Sequence, residues 1–327
     1  MRILFVSSGK ENGIPGPIIK SQAESINSKG YKVAHFSVDK KGLNGYLQEC
    51  IRLRRVLKKN QYDIIHAHYG LTAIISLLAK RNQKLVVSFM GDDLVGSRKA
   101  DGNITKLSIL FSRINACMAK WFYDFSIVKS NQMAKQLFKD TKFEVVPNGV
   151  NISKFNPESK QNARKKLRIS PDREIAIFVS KPERVEKNFN LAKNAVDKLN
   201  NSNLQLLPVF GVKHSELATY FNAADVLVLS SFHEGSPNVI KEAMACNCPI
   251  VSTKVGDVEW IIGNTKGCYI ASFDSEDFGG KLNQALEFSK SSIRTNGRKR
   301  IMELSLDDQS VAEKLIDIYN MVLSSTK

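Results

Sequence analysis

Short apolar segments alternate with helical patterns along the whole chain of 327 residues. These segments are five to eight residues long and rich in Val, Ile, Leu and Phe, as strands are when both faces of a parallel sheet are covered. Strand–helix alternation of this kind predicts an α/β architecture with helices on both sheet faces. The predicted strands are RILFVSS, KVAHFSV, DIIHAHY, KLVVSFMG, FSIVKS, FEVVPNG, EIAIFVS, LQLLPVF, VLVLSS, PIVST and CYIAS. The predicted helices are PIIKSQAESINSKG, GYLQECIRLRRVLKKN, LTAIISLLAKRN, NQMAKQLFKD, NFNLAKNAVDKLN, HSELATYFNAA, NVIKEAMACN, EDFGGKLNQALEFS and LDDQSVAEKLIDIYNMVLSS.

A break divides the strands into two sets at PNGVNISKFNPESK, residues 147–160, where prolines and glycine interrupt the pattern. We therefore predict two doubly wound, Rossmann-like domains, residues 1–152 and 153–307. The helix at about residues 308–327 is expected to pack back on the first domain. Ligands of such sheets bind beyond the carboxyl ends of the strands, so we expect the two edges to line one cleft.

Composition restricts the class of protein further. A hydrophobic content of 43% and a charged content of 24% are typical of a globular protein with a large core. There is no apolar run of 18 residues, so we predict no transmembrane helix, and the first residues are interpreted as a strand rather than a signal peptide. Five cysteines, an odd number, favour reduced thiols in a cytoplasmic protein. Cys246 and Cys248 lack a second cluster that would complete a zinc site.

The net charge of +16 is unevenly distributed. Residues 1–150 contain 24 Lys and Arg against 11 Asp and Glu, so the first half generates most of the positive field. The segment 51–59 is a basic amphipathic helix, and the segment 118–125 adds aromatic residues. This combination favours docking on an anionic membrane surface. An ordinary charged helix and a packed aromatic core explain these two segments equally well. We predict no nucleic-acid partner, because no nucleic-acid-binding motif is present.

Two glutamates, Glu234 and Glu242, are separated by seven residues in HEGSPNVIKEAMACNCPIVS. We expect Ser236 to be the N-cap and Pro237 the first residue of a helix. The free N–H groups at that helix start can bind phosphate, and Gly235 permits close approach of a ligand to the backbone. Glu242 lies about 6 Å deeper by helix rise and can accept two hydrogen bonds from a ribose diol. Glu234 can bind the hydroxyls of a sugar beyond the phosphates.

These residues resemble a known signature. The stretch FNAADVLVLSSFHEGSPNVIKEAMACNCPIVSTKVGDVEWI looks like the donor site of glycosyltransferase family 4, which are retaining enzymes of the GT-B fold. The segments DIIHAHYG, PNGV and FVSKPERVEKN follow in the family's usual order. The resemblance implies that Glu234 contacts the transferred sugar and Glu242 the ribose. It also implies that the backbone faces the sugar and phosphates at Ser236, Pro237, Asn238 and Val239.

The segment SKPERVEKN supplies cations for a departing diphosphate, whose negative charge must be neutralised. The resemblance implies that Lys187 takes the family's lysine role, while its arginine role falls to Lys181 or to Arg184. The lysine ammonium acts as a point charge, whereas the planar arginine guanidinium can bind a phosphate in a bidentate way, so the two are not equivalent. Cations and the helix dipole suffice for neutralisation, so we predict neither a metal nor a cofactor.

The first domain should bind the acceptor. The resemblance implies that the loop containing Gly13 and Gly16 closes over the donor phosphates. His66 and His68 on the third strand are expected to point to opposite faces, with His68 reaching the cleft. In SFMGDDL, Gly91 and Asp93 match the family pattern and are candidates for acceptor or sugar binding. Met90 stands where the family often has a histidine, which removes a proton-transfer group.

The resulting hypothesis is a retaining, metal-independent hexosyltransferase. Its donor would be a UDP- or GDP-sugar and its acceptor a glycan or polyprenyl-linked glycan, in cell-surface polysaccharide synthesis at the cytoplasmic side of the membrane. Two alternatives keep the same fold, namely a nucleotide-sugar epimerase and a sugar-nucleotide-binding subunit of low activity. A nucleic-acid-binding protein is a fourth reading, based on charge alone. The donor sugar, the base, the acceptor and the oligomeric state do not follow from the sequence.

Overall fold

The computed structural model describes residues 1–9, 13–96, 104–291 and 294–325. Within these residues the chain forms two compact units. The first unit contains residues 1–96, 104–149 and 308–325, and the second contains residues 150–291 and 294–307. The break therefore lies between Gly149 and Val150, because Val150 pairs with Asp307 of the second unit. The last helix of the chain belongs to the first unit.

The first unit is built on a parallel sheet of six strands in the order β2-β1-β3-β4-β5-β6. Its strands are β1 Arg2–Ser8, β2 Lys32–Val38, β3 Ile64–His68, β4 Lys84–Ser88, β5 Phe125–Val128 and β6 Phe143–Val145. Its helices are α1 Pro17–Ser28, α2 Gly42–Lys59, α3 Gly70–Ala79, α4 Asp92–Val95, α5 Lys106–Trp121, α6 Asn131–Ala134 and, at the end of the chain, α14 Asp308–Ser324. Side chains of α1 and α14 pack on one sheet face, while α2, α3 and α5 cover the other.

The second unit contains a parallel sheet of five strands in the order β11-β10-β9-β7-β8. Its strands are β7 Glu174–Phe178, β8 Leu204–Pro208, β9 Val226–Leu229, β10 Ile250–Thr253 and β11 Cys268–Ala271. Its helices are α7 Lys160–Leu167, α8 Phe189–Lys198, α9 Leu217–Ala223, α10 Asn238–Ala245, α11 Val258–Ile262, α12 Ser275–Lys290 and α13 Gly297–Glu303. Two apolar clusters, one on each face of the sheet, form its core.

All eleven predicted strands are present, although most end one to four residues earlier than predicted. Five helices were not predicted, namely α4, α5, α7, α11 and α13. The apolar stripe of α5 lies partly on the surface and α7 has few apolar residues, so neither gives a clear buried-face pattern. The helix predicted at residues 131–140 is wrong beyond Ala134, where the chain continues in turns.

The strand order brings three loops of the second unit to one place. Strand β9 pairs with β7 on one side and β10 on the other, and all three are parallel. The loops that follow their carboxyl ends therefore share one sheet edge. We call residues 179–187 after β7 the lysine loop, residues 230–237 after β9 the donor loop and residues 254–257 after β10 the backing loop. Every donor-site residue predicted in this half of the chain lies in these loops or on α10.

Candidate functional site

Lys187 and Glu234 contact each other at this edge. The Lys187 Nζ atom donates to Glu234 Oε1 at 2.6 Å, and Ser231 Oγ donates to the same oxygen at 2.7 Å. Both partners of the ion pair are mostly buried, with side-chain exposures of 19% and 15%. Such a partly buried, hydrogen-bonded pair is held more firmly than a surface salt bridge. Two residues predicted to be catalytic from separate motifs thus lie side by side.

The lysine loop is fastened to the donor loop by its backbone. Ser230 Oγ donates to the carbonyl oxygens of Lys187 and Asn188, at 3.0 and 2.9 Å. The backbone N–H of Phe232 donates to the Glu186 carbonyl oxygen at 3.0 Å. These bonds fix the start of the donor loop against a short 3-10 helix, Val185–Lys187. The Lys187–Glu234 contact is therefore built into the fold.

Glu242 lies inside α10 and is 5% exposed. Its partner is His214, whose ring Nε2 lies 2.8 Å from Glu242 Oε1. The His214 ring packs edge-on against Phe155 at a centroid distance of 5.3 Å. Glu242 is therefore not a solvated surface residue. His214 was missed because it begins a 3-10 helix after β8, and only the folded chain brings it to α10.

The start of α10 differs from the prediction. Pro237 is the N-cap residue, the helix begins at Asn238, and no side chain caps it. Ser236 as N-cap is therefore wrong, because its hydroxyl accepts a hydrogen bond from Lys241 Nζ at 3.1 Å instead. Gly235 and Ser236 are half-buried in the loop, and Val239 follows in the first helical turn. The first N–H groups of α10 still lack intrahelical partners, so they can bind an anion.

The backing loop packs directly beneath the donor loop. Gly256 has a φ of +54°, and a Cβ atom there would lie 2.5 Å from the Gly235 carbonyl oxygen and 2.8 Å from that of Glu234. Thr253 Oγ1 donates to the Ser231 carbonyl oxygen at 2.7 Å. Only glycine fits between these two backbones. Gly256 was not predicted as a site residue, although the VGD segment containing it was part of the quoted signature.

The two candidates for the arginine role are both exposed. Lys181 lies at the surface of the lysine loop. Arg184 forms an ion pair with Glu186, with Nη2 2.5 Å from Glu186 Oε1. Arg184 is thus paired with a carboxylate, and Lys181 is the other candidate for the second cation. The choice between them remains a prediction.

Gly13 and Gly16 lie between β1 and α1 of the first unit. Gly13 has a φ of +73° and Gly16 is the N-cap residue of α1, with a proline following it. A Cβ atom at Gly16 would meet no neighbour within 4 Å, so nothing in the unit itself requires glycine there. Residues 10–12 of the same loop lie outside the described part. The role of this loop over the donor phosphates remains a prediction.

His66 and His68 share one face of β3, and the prediction of opposite faces is wrong. Residues two apart on a strand point the same way, and the two rings stack with centroids 4.2 Å apart. His66 is fixed by Tyr319 Oη at 2.6 Å and Ser88 Oγ at 2.8 Å. His68 is buried, and its Nε2 has no partner among the described residues. Burial lowers the pKa of both rings well below 6.5, so both are neutral.

A buried lysine of the first unit was also missed. Lys129 follows β5 at the carboxyl edge, and its Nζ lies 3.3 Å from Ser88 Oγ and 3.2 Å from the Val146 carbonyl oxygen. Its charge helps to lower the pKa of His66 and His68. Lys129 was included in a predicted strand, where nothing marked it as different from a solvated lysine.

Asp93 is fully buried, and backbone N–H groups of two loops donate hydrogen bonds to it. Its carboxylate accepts from the backbone N–H groups of Gly70 at 3.0 Å, of Met90 at 2.9 Å and of Gly91 at 2.9 Å. Burial raises the pKa of Asp93 to about 6, although these hydrogen bonds oppose the shift. Gly91 has a φ of +141°, which places it in a tight turn before α4. Asp93 thus fastens two loops, and its role in acceptor or sugar binding remains a prediction.

In the described part of the chain, no group of three or more His, Cys, Asp or Glu side chains could hold a metal ion. Cys246, Cys248 and Cys268 are buried in the core of the second unit. Burial raises the pKa of each of these three thiols. The three thiols are therefore neutral. None of these cysteines forms a disulfide.

Two family profiles match the sequence. The profile described as Glycosyltransferase Family 4 matches residues 22–154, and the profile described as Glycosyl transferases group 1 matches residues 191–287. The first match lies almost wholly in the first unit, and the second match includes the donor loop and α10.

Curated proteins show the same relationship. The chain is 26% identical over 238 residues to a putative teichuronic acid biosynthesis glycosyltransferase, TuaC, of Bacillus subtilis, which covers 64% of this chain and 58% of that protein. It is 25% identical over 263 residues to a D-inositol 3-phosphate glycosyltransferase of Pseudarthrobacter chlorophenolicus, which covers 65% of this chain and 60% of that protein. The chain thus spans about three fifths of the length of these relatives.

Solved structures resemble the chain over its whole length. Sucrose-phosphate synthase from Thermosynechococcus elongatus matches with a TM-score of 0.82 and 17% identity, covering 100% of both chains. Anabaena HepE in complex with UDP-glucose matches with a TM-score of 0.72 and 15% identity, covering 98% of this chain and 100% of that one. At this identity the likeness bears on the fold alone. The predicted fold class, GT-B with two doubly wound parallel sheets, is confirmed.

Proposed function

This chain belongs to glycosyltransferase family 4, and from that premise we propose that it transfers a sugar from a nucleotide-diphosphate-sugar to a glycan or lipid-linked glycan. The observation that carries the proposal is the placement of Glu234 and Glu242 at one sheet edge. Glu234 lies in the loop before the free N–H groups of α10, and Glu242 lies one turn inside that helix. In a nucleotide sugar the diphosphate lies between the hydroxyls of the ribose and those of the transferred sugar. Its groups therefore follow the same order as Glu242, the N–H groups of α10 and Glu234.

Each part of the donor has a matching group on the protein. The ribose hydroxyls donate to Glu242, which His214 holds in place. The diphosphate accepts from the N–H groups at the start of α10, where the helix dipole favours negative charge. The transferred sugar binds Glu234. Lys187 Nζ lies 2.6 Å from Glu234 Oε1, which supports a role for this cation near the bond between the sugar and the phosphate.

We propose that the reaction retains the configuration at the anomeric carbon. The bond between that carbon and the β-phosphate oxygen breaks as the acceptor oxygen forms its own bond from the same face. The acceptor proton passes to the β-phosphate. Until that proton arrives, the departing nucleoside diphosphate carries an added negative charge, which Lys187, Lys181 and the α10 N–H groups stabilise. These groups already provide the neutralisation for which other enzymes use a metal, so the proposed mechanism requires neither metal nor cofactor.

The relatives support a choice of donor and pathway. HepE has been crystallised with UDP and with UDP-glucose, and the TuaC relative is named for teichuronic acid biosynthesis. We therefore propose a UDP-sugar as the first donor to test, a GDP-sugar as the second, and a role in polysaccharide synthesis.

The acceptor would be reached at an anionic membrane surface on its cytoplasmic side. Leu107, Leu110, Ile114 and Trp121 form an exposed apolar stripe on α5, which we call the docking face. Along one flank of this stripe run Lys106, Arg113 and Lys120, spaced seven residues apart. An apolar stripe beside a basic stripe is the pattern of a helix lying in a membrane interface. No helix in the described residues has the length and apolar character needed to span a bilayer.

The basic helix predicted at residues 51–59 contributes mainly charge. It is the second half of α2, and its apolar residues Leu53 and Leu57 are buried in the core, whereas Ile51 is exposed. Its basic side chains are exposed, with Arg54, Arg55, Lys58 and Lys59 among them. A groove of about 660 Å³ beside α5, lined by Ile109, Arg113, Leu137 and Phe138 among others, offers an apolar surface with cations at its rim. These features suit a lipid chain with an anionic head.

A panel of nucleotide sugars tests the proposed function. UDP-, GDP- and ADP-sugars are added to the protein, and the melting temperature is measured. A ligand that binds the native state raises the melting temperature, by an amount that grows with its concentration. We expect one nucleotide series to do so, and its sugar to be transferred only when an acceptor is present. Formation of a new nucleotide sugar without acceptor would favour the epimerase, and absence of any stabilisation would contradict the proposal.

A further inference from the structure

Lys241 is the least expected residue near the donor loop. It lies on α10 directly before Glu242, and it is completely buried. An ammonium group without compensation is very unfavourable in a protein interior, so a lysine in this position needs partners. Burial lowers the pKa of Lys241 to about 8, while the charges of Asp257 and Glu242 oppose the shift. In the sequence, Lys241 was predicted only as part of a helix.

The partners of Lys241 lie in both loops above it. Its Nζ donates to Ser236 Oγ in the donor loop at 3.1 Å. Its charge interacts with Asp257 at the end of the backing loop. Burial raises the pKa of the Asp257 carboxyl, and the charge of Lys241 offsets part of that shift. The charge of Lys241 and the Ser236 hydroxyl both lower the pKa of Asp257, although neither Asp257 oxygen meets the full hydrogen-bond geometry with a described residue.

The two loops also touch through their backbones. Gly256, the neighbour of Asp257, lies so close to the Gly235 carbonyl oxygen that no side chain fits between them. The shape of the donor loop therefore depends on the position of the backing loop. Lys241 contacts the donor loop through Ser236, and its charge acts on Asp257 of the backing loop, at the point where Ser236 precedes α10.

We infer that Lys241 and Asp257 are positioning residues that hold the donor loop in the shape in which the first backbone N–H groups of α10 bind the donor diphosphate. The inference rests on the proposed function, because it assigns the diphosphate to these N–H groups. Lys241 acts through Ser236, since it is buried and cannot reach the solvent. Its loss is therefore expected to reduce affinity for the diphosphate much more than affinity for the nucleoside.

The test uses three variants and two measurements. The variants are Lys241→Met, the double variant Lys241→Met/Asp257→Leu, and the exposed control Lys266→Met. The measurements are calorimetric Kd values and hydrogen exchange of the amides of residues 234–239 in the free protein. The ligands are the nucleoside and nucleoside diphosphate of whichever series among UDP, GDP and ADP stabilises the wild type most.

We expect Lys241→Met to bind the diphosphate at least tenfold more weakly, to keep its nucleoside affinity and to exchange its loop amides faster. Asp257→Leu removes the carboxylate that loses its compensating charge in Lys241→Met, so the double variant should regain melting temperature. It should not regain affinity, because the hydrogen bond to Ser236 is still missing. If the role of Lys241 were purely structural, the double variant would regain melting temperature and affinity together. The double variant also tests the inference if Lys241→Met does not fold.

Two results would overturn the inference. The first is a folded Lys241→Met or double variant that binds the diphosphate as tightly as the wild type, which leaves the proposed function intact. The second is unchanged amide exchange in residues 234–239 of these variants. If the wild type binds no nucleoside diphosphate, the proposed function fails, and amide exchange alone then decides whether Lys241 orders the loop.

Discussion

Lys187 Nζ lies 2.6 Å from Glu234 Oε1, although the two residues are 47 positions apart in the chain. One follows strand β7 and the other follows β9, and the pairing of these two strands brings them together. The contact places a cation beside the carboxylate that we assign to the transferred sugar. It also restrains both side chains, so that neither has to be ordered when the donor binds.

The first prediction concerns the charge of Lys187. Lys187→Met is expected to lower kcat by about 10²–10³-fold, because a group that stabilises the leaving charge is removed. The KM for the donor should change much less, since the α10 N–H groups and Glu242 remain. Steady-state transfer assays measure both values. The exposed Lys198→Met on α8 is the matched control, and an unchanged kcat in Lys187→Met would exclude Lys187 from the chemistry.

How much of this site the sequence predicts depends on how local its signals are. Glu234, Gly235 and Glu242 lie in one continuous segment, so the strand, turn and helix around them could be predicted together. His214 and Gly256 come from other loops, and their contacts with Glu242 and Gly235 exist only in the folded chain.

Other errors have different physical causes. His66 and His68 were given opposite faces although residues two apart on a strand share one, so that error was one of geometry. Lys241 gave no signal at all, because a lysine at a helical position is normally solvated. Its burial follows from the packing of α10.

The second prediction concerns the contact between the donor and backing loops. Gly256→Ala should destabilise the second unit by about 1–3 kcal/mol and weaken nucleotide binding, because the new Cβ would collide with the Gly235 carbonyl oxygen at an unfavourable φ. Gly280→Ala on α12, where a Cβ meets nothing within 4 Å, is the control and should be neutral or stabilising by up to about 1 kcal/mol. Urea denaturation compares the two variants. Equal stability of the two variants would show that the donor and backing loops can move apart without loss of stability.

The third prediction concerns Asp93 and pH. Its pKa is raised from 3.8 to about 6 in the folded protein, so between these values the folded state binds more protons than the unfolded state. The contribution of Asp93 to stability is therefore full below about pH 4 and is lost as the pH rises to about 6. The loss amounts to about 3 kcal/mol. Urea midpoints from pH 4 to 7 measure it.

The variant Asp93→Asn isolates this contribution, because an amide does not titrate. The wild type should lose stability relative to Asp93→Asn between pH 4 and 6, and the difference should be constant above that range. The urea midpoints of the exposed control variant Asp197→Asn should change with pH in parallel with those of the wild type. A difference between wild type and Asp93→Asn that grows in the opposite direction would mean that the backbone hydrogen bonds outweigh burial at Asp93.

The fourth prediction concerns the docking face of α5. Leu110→Gln and Trp121→Gln should each weaken binding to vesicles that contain anionic lipid by severalfold, and binding should fall with added salt. Both side chains are exposed, so folding is expected to be unaffected. Trp260→Gln in the second unit is the matched control. Co-sedimentation gives the bound fraction, and equal binding by Trp121→Gln and Trp260→Gln would remove α5 from the membrane contact.

The most direct test of the account is calorimetric binding of a nucleoside diphosphate and its nucleotide sugar to Glu234→Gln and Glu242→Gln. If Glu242 binds the ribose, Glu242→Gln should weaken both ligands by about tenfold or more, because both contain the ribose. If Glu234 binds the transferred sugar, Glu234→Gln should weaken the nucleotide sugar and leave the nucleoside diphosphate unchanged. Wild-type affinity for both ligands in both variants would contradict the account.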